Sequence, residues 1–553
     1  MHRRPTHVRL LRLAALAASL SLLAAACSSS KGGSSNAGTT PGTAAPALVP
    51  KAGGSLTVAT EAEVTTGFDP FNSDWDATGL SYASTVYDML TAVGDDGSTK
   101  PYLAQSITPN ADFTQWTITA RPGISFTNGE PFNADSIKLN LDTHLKSPLT
   151  SPVLFAVASV TKVDAMTVQV NMKSPWADFP QILAGQLGAQ VAPKAIADAK
   201  NLATHPIGTG PFIFQSWVQG DHFTATKNPN YWRKDASGNS LPYLDSVTFK
   251  PIVDPQSREN SLKSGVVDLM HGTDTQTIVD FRQDKTIHLL EQTKGRVEQD
   301  FVMLNVTRAP LDDIRIRQAL AMGLDQTRYN QVINNGIVKV TNGPFSDASG
   351  YVNGGSYPAY NPTAAKALVA AYEADHHVSK VEFEFGTTNT GKNLQSNQLV
   401  ADMWSQIGIT AHVVQVEQSQ YISNAVLGNY QAYGWRQFAE PDPDADLIWW
   451  GSSFAKPNGQ LSLNFARNQD PVIDQNMIDA RSTSDAARRK TDYQNVSAQL
   501  NKDLPFIWTN QAAWFYAAKP SVEGIDNHTL PDGTAARSLF AGVVVPTQLW
   551  VNH

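Results

Sequence analysis

A single cysteine among 553 residues is the first constraint on this chain. Cys27 has no second thiol to meet, so an intramolecular disulfide is impossible and a disulfide-framework fold is excluded. Positive charge is also scarce: 42 Lys and Arg stand against 50 Asp and Glu, for a formal net charge of −8. An acidic chain with no basic run excludes nucleic acid as a natural partner. Beyond residue 27 there is no apolar run approaching the roughly 20 residues that span a bilayer. Hydrolase spacings are missing too, since neither Gly-x-Ser-x-Gly nor His-Glu-x-x-His occurs.

What is present starts at the N-terminus. Arg3, Arg4, Arg9 and Arg12 precede an apolar stretch from Leu13 to Ala26, which is too short and Ala-rich to span a membrane well. Charge followed by small apolar residues is the grammar of a secretory signal. It ends in Leu23-Ala24-Ala25-Ala26-Cys27, which resembles a bacterial lipobox with Ala24 where the usual Leu stands. The resemblance implies that residues 1–26 are removed and that Cys27 is diacylated as the lipid attachment site. Cleavage takes away four Arg and no acid, moving the net charge from −8 to −12. Residues 27–52 are mostly Ser, Gly, Thr, Ala and Pro, which bury too little apolar surface to offset their ordering. As a coil, such a tether has an r.m.s. span of about 30 Å.

The folded body is long enough for two to four domains of roughly 100–200 residues each. Strand-like alternation starts at Gly53. Asn133-Ala134-Asp135-Ser136 predicts a helix start, and Asn361-Pro362 predicts another that reaches about Ala374. The runs 211–218 and 222–226 flank Gln219-Gly220-Asp221 as a hairpin. Val381–Phe385, a helix over 393–406 stopped by Gly408, and Ile409–Val416 predict a βαβ unit. Its first loop, 386–392, lies where open α/β sheets bind ligands. That loop also fits Gly-x-x-x-x-Gly-Lys, but Asn393 stands where a phosphate loop needs Ser or Thr. Ser159-Val160-Thr161-Lys162 matches Ser-x-x-Lys, yet its partner motifs occur in the wrong order. The His376-His377 pair diverges by about 100° on a helix, so it reads as exposed rather than metal-binding.

Several segments match one family in order. They are Pro101-Tyr-Leu-Ala-Gln-Ser, the run Phe113 to Asp135 with its Arg-Pro-Gly and Asn-Gly turns, Pro206-Ile-Gly-Thr-Gly-Pro-Phe212 and Lys227-Asn-Pro-Asn-Tyr-Trp232. Ser264-Gly-Val-Val-Asp268, Pro310 to Leu320, Gly434-Trp435 and Pro441-Asp442-Pro443 follow. Together they resemble the family 5 extracellular solute-binding proteins of ABC importers, of the oligopeptide- and dipeptide-binding type. Most of these residues read as structural. Gly123, Gly129, Gly208, Gly210 and Gly265 suit turns or close approach, Asp312 or Asp313 suits an N-cap, and Arg315 and Arg317 suit a helix surface.

The resemblance implies an α/β, bilobed periplasmic-binding-protein fold (type II, the large peptide-binding cluster) with two interlobe crossovers. Lobe I would hold 53–304, with an inserted subdomain at roughly 88–200. Lobe II would hold 305–504, and 505–553 would return to lobe I. The resemblance further implies a monomer that captures a solute by hinge closure, oligopeptides or dipeptides first, and delivers it to ABC permease subunits. It implies a protein outside the cytoplasm, lipid-anchored to the cell membrane, with no catalytic residue, cofactor or metal. A receptor for an oligosaccharide or a metal chelate is the alternative, and a surface enzyme or adhesion lipoprotein reusing the fold the remote one. For the ligand site it points to Trp435, Arg436, Glu440 and Phe438, with Trp75 and Asp76 from the first lobe. In peptide-binding relatives an Asp that pairs with the ligand amine stands three residues after the Trp. Here Phe438 takes that place, and Glu440 is the nearest carboxylate.

Overall fold

A computed structural model describes residues 48–552, apart from 74, 295–296, 353–356, 389 and 438–441 and the side chains of 347 and 419. Cys27, most of its tether, Phe438 and Glu440 lie outside the described residues.

The Gly53 alternation becomes the Ser55–Thr60 strand, with parallel partners on both sides. A strand flanked this way buries both faces. Leu56 and Val58 enter one apolar cluster and Ala59 enters another. It lies at the middle of a seven-stranded sheet whose spatial order is His288–Gln292, Trp514–Ala518, Leu269–Gly272, Ser55–Thr60, Ser246–Pro251, His222–Lys227, Phe212–Val218. The last two strands are the expected hairpin, turning at Gly220 with φ +77°.

A second sheet of five strands runs Ile409–Gln415, Val381–Thr387, Ala432–Arg436, Gln299–Leu304, Phe506–Gln511. Its first pair is parallel and joined by the Gly391–Ser405 helix, which is the βαβ unit legible in the sequence. The helix starts two residues earlier than expected, capped by Thr390. Successive residues of Gln299–Leu304 feed opposite cores: Val302 and Leu304 pack with Phe383, Phe385 and Trp404, whereas Phe301 and Met303 pack with Tyr433, Trp450 and Trp508. A third, four-stranded antiparallel sheet spans residues 104–172, within the segment expected to be an insert. Its buried residues, Trp116 and Val170 among them, join the core of the first sheet.

The fold is the bilobed α/β periplasmic-binding-protein architecture with two crossovers. The chain passes from the first sheet to the second between His288–Gln292 and Gln299–Leu304, and returns between Phe506–Gln511 and Trp514–Ala518. Leu304-Asn305 and Leu504-Pro505, read as crossing points from the sequence, instead bracket the far ends of two strands that both belong to the second sheet. The Leu304 N–H donates to the Pro505 carbonyl there at 2.9 Å.

Local chemistry accounts for the expected turns. Asn133 caps the Ala134–His144 helix in a capping box with Ser136, and Asn361 caps Pro362–His376. Asp313 is the N-cap of Ile314–Gly323; Arg315 pairs with Asp313 and Asp375, and Arg317 donates to backbone carbonyls. Gly208 and Gly210 need their missing side chains: a Cβ there would sit 2.1 Å from the Val86 oxygen and 2.5 Å from the Val86 carbonyl carbon, respectively.

Candidate ligand-binding site

The crossing strands bring together residues distant in sequence. Ala432–Arg436 runs antiparallel to Gln299–Leu304, with Trp435 opposite Phe301 and Arg436 opposite Asp300. Tyr433, Tyr421 and Trp435 form a stack, with the Tyr421 ring 3.9 Å from Tyr433 and 5.5 Å from Trp435, both nearly parallel. Phe465 meets Trp435 edge-on at 5.6 Å. The Tyr421 hydroxyl donates to the Gly434 carbonyl at 2.5 Å, which ties the stack to the strand. Trp435 is left half-buried with an indole N–H that has no protein acceptor among the described residues.

Arg436 reaches the crossover. Its guanidinium lies 4.8 Å over the Trp514 ring, and its Nε is 3.7 Å from a Glu298 oxygen. Trp514 donates its indole N–H to that same Glu298 oxygen at 2.5 Å. Among the described residues the guanidinium makes no hydrogen bond, and its side chain is 36% exposed. Burial works against its charge, but the Glu298, Asp300, Glu61 and Asp76 carboxylates more than restore it, so its pKa lies above the usual arginine value. Glu298 and Asp300 are pushed above the ordinary carboxylate range by burial, which Arg436 only partly offsets. Asn510 donates to Asp300 at 2.9 Å.

The first lobe faces this group with fixed chemistry. Glu61 accepts from the Thr273 N–H and hydroxyl, both at 2.9 Å. His271 accepts the Glu61 backbone N–H at Nε2, and its Nδ1 sits 2.6 Å from the Gly542 carbonyl oxygen, which fixes the neutral tautomer with its proton on Nδ1. Burial lowers its pKa accordingly. Lys392 donates to the Thr273 carbonyl at 3.2 Å, which bridges the sheets. The lysine of the phosphate-loop-like segment is thus used by the protein itself.

Trp435 and Arg436 therefore share the crossover region. Asp76 caps the Ala77–Val86 helix by accepting from Gly79, and burial raises its pKa; its charge is felt at Arg436. Trp75 is committed to its own lobe, donating to the Gly67 carbonyl and stacking on Tyr87. Glu298, Asp300, His271 and Trp514 carry no signal in the sequence: each is one residue of a buried strand or link, brought in by pairing across more than a hundred residues. His376 stacks on Tyr372 at 4.1 Å and faces Asp313, and His377 ends the helix with φ +54°, so the two do not converge. A flat guanidinium offers paired N–H donors to a ligand oxygen while its face stays on the indole, and the carboxylates around it keep it charged.

Residues 98–458 match the model described as "Bacterial extracellular solute-binding proteins, family 5 Middle". The glutathione-binding protein GsiB of Pectobacterium atrosepticum is 26% identical over 458 residues, covering 80% of this chain and 86% of GsiB. Among solved structures, the periplasmic binding protein DppA of Helicobacter pylori, in complex with the peptide STSA, superposes with a TM-score of 0.79 at 20% identity, over 91% of this chain and 99% of that one. NikZ of Campylobacter jejuni, in complex with Ni(L-His), gives 0.75 at 21% identity, over 89% and 97%. No helix among the described residues is long and apolar enough to cross a membrane. The chain belongs to the family 5 bacterial extracellular solute-binding proteins, the non-enzymatic substrate-binding components of ABC importers.

Proposed function

We propose that this chain captures short peptides outside the cytoplasm, closes its lobes over them, and presents them to a membrane permease while anchored through lipid on Cys27. The observation that carries the reading is the Arg436 guanidinium, laid on Trp514 between the crossing strands with no hydrogen bond from the described protein. A peptide carboxylate supplies the acceptor that this group lacks, and the Trp435 wall takes an adjacent side chain. The hinge falls at the links between the two sheets, at Val297-Glu298 on the way out and Ala512-Ala513 on the return. Ligand shifts the open–closed balance only through contacts made better in the closed form.

Phe438 supports a second reading. Without a carboxylate at that position, a carboxylated solute that is not a peptide, such as the nickel–histidine complex held by NikZ, satisfies Arg436 equally well. Native mass spectrometry of the purified chain decides between them by the mass of the copurifying solute. Calorimetry with that solute should then show binding that Arg436→Gln weakens about tenfold to a hundredfold, the loss of one charge-assisted contact. A peptide that binds equally to parent and Arg436→Gln removes Arg436 from the site. Turnover of the solute by pure protein overturns the receptor reading.

A further inference from the structure

The two lobes also meet through a second set of side chains, on elements separate from the crossovers. Trp176 belongs to the first core: its N–H donates to Phe113 at 3.0 Å and its carbonyl accepts from Trp116 at 2.9 Å. Its indole N–H, however, donates to Asp444 at 2.6 Å, on the short turn Pro443–Asp446 that follows the second sheet's Ala432–Arg436 strand. Asp444 also accepts from Arg481 Nε at 2.7 Å and Nη2 at 3.1 Å. The Arg481 guanidinium lies 4.3 Å over the Trp176 ring and 4.9 Å over Phe155, and Phe155 meets Phe454 at 5.4 Å. A main-chain bond joins the two sides as well, from the Ala177 N–H to the Arg481 carbonyl at 2.7 Å. The next residue, Asp178, ion-pairs with Arg489, which also holds Asp442 at 2.5 Å.

From this geometry we infer that residues 176–178 of the inserted subdomain are a clasp that holds the lobes together and positions Arg436 for the solute. The mechanical link is short. Gln437, the neighbour of Arg436, donates through Nε2 to Asp446 at 3.1 Å and through its backbone to the Gln299 carbonyl at 2.9 Å. Asp446 lies on the same turn as Asp444, so what grips the turn also sets the strand end that carries the guanidinium. Asp444 and Arg481 are almost wholly buried, with side chains 3% and 4% exposed. Parting the lobes breaks a desolvated pair away from its indole cover, so the clasp resists opening whether or not solute is bound. Trp176, Asp178, Asp444, Arg481 and Arg489 are positioning residues on this account, and none of them touches solute.

The inference rests on the closing-lobe reading, but its own readout needs no ligand. Hydrogen exchange of the full chain, resolved at the Ala177 amide, reports the interlobe bond directly. The parent should protect this amide. Trp176→Phe, which keeps a ring and removes the N–H donor, and Asp178→Ala, which removes the whole carboxyl that meets Arg489 and Asp442, should each speed its exchange by about tenfold. Small-angle scattering should show a larger ligand-free radius of gyration for both, with thermal unfolding of the lobes little changed. An unprotected Ala177 amide in the parent, or unchanged exchange and radius in both variants, overturns the clasp. Arg436→Gln is the control that separates the two proposals: it should lose solute while Ala177 stays protected. If it keeps solute with the clasp variants behaving as expected, the site assignment fails and the clasp stands.

Discussion

The same pair of residue types occurs twice between the lobes with opposite consequences. At the clasp, Arg481 lies on Trp176 and spends Nε and Nη2 on a buried aspartate. At the crossover, Arg436 lies on Trp514 at a similar distance and spends no hydrogen bond on the described protein. Stacking on an indole covers the guanidinium face in both, so stacking does not distinguish structure from function. The edge does. Arg481 spends Nε and Nη2 on its own protein across the lobe contact, whereas the Arg436 edge is partly exposed and makes no hydrogen bond to the described residues, which is why we propose it, and not Arg481, for the solute.

Removing the two arginines tests that contrast most severely. Arg481→Met leaves Asp444 buried with only an indole N–H, and breaking a buried pair in this way costs about 3–5 kcal/mol. Denaturant titration should show that loss, with solute affinity falling only as the closed population falls. Arg436→Met should cost less stability than Arg481→Met, because its edge makes no hydrogen bond to the described residues, although Glu298 and Asp300 lose their compensating charge. It should cost about tenfold to a hundredfold in solute affinity. Equal stability losses for both variants break the comparison.

The sequence made the local half of this molecule readable and left the long-range half hidden. Asn361-Pro362 announces a helix because capping and a fixed φ act within one turn, and the bounds match to within two residues. The Gln219-Gly220-Asp221 turn and the βαβ unit were legible for the same reason, and ordered family turns carried the architecture. The crossing points were misplaced by about a strand because Gln299–Leu304 and Phe506–Gln511 read as ordinary buried strands whichever sheet they join. Trp435 and Arg436 were named as candidates through the Gly-Trp resemblance alone. Their partners Glu298, Asp300 and Trp514 were not, since contacts across 78 to 138 residues leave no periodic trace. Trp176 sits in Ser174-Pro175-Trp176-Ala177-Asp178, a stretch with no pattern that marks an interlobe contact.

A change of pH sharpens the comparison less violently. Burial, and then the Asp442 charge beside it, push the Asp178 carboxyl far above the ordinary aspartate range, against the pull of Arg489. Asp444 faces the same group; Tyr351 and Tyr493 complete the charged and titratable shell with Arg481. A pKa raised in the clasped form means that protonation favours it. The contribution is fully present below the ordinary aspartate value of about 4 and is lost as pH rises through the raised value. Ala177 exchange, corrected for its intrinsic pH dependence, should therefore quicken between about pH 4 and pH 8. Asp178→Asn should flatten that rise. A rise that persists in Asp178→Asn assigns the titration to another group.

The smallest expected difference lies at the other end of the ligand. Phe438 stands where peptide-binding relatives carry the aspartate that pairs with a free amine, and a lost charge-assisted contact of that kind is worth about 1.5–3 kcal/mol. With no carboxylate there, blocking the amine removes little. Free and N-acetylated forms of one peptide should bind within about tenfold of each other by calorimetry. Restoring the acid with Phe438→Asp should open a preference for the free amine of that same order, while Arg436→Gln weakens both forms alike. Glu440 is the competing source of a carboxylate. If the parent already prefers the free amine strongly and Glu440→Gln erases the preference, the amine anchor has moved two residues along the chain. The crossover then binds both ends of its solute with side chains, carboxylate on Arg436 and ammonium on Glu440. If neither substitution changes the ratio, the amine is left to solvent, and Arg436 alone sets the polarity in which the solute lies.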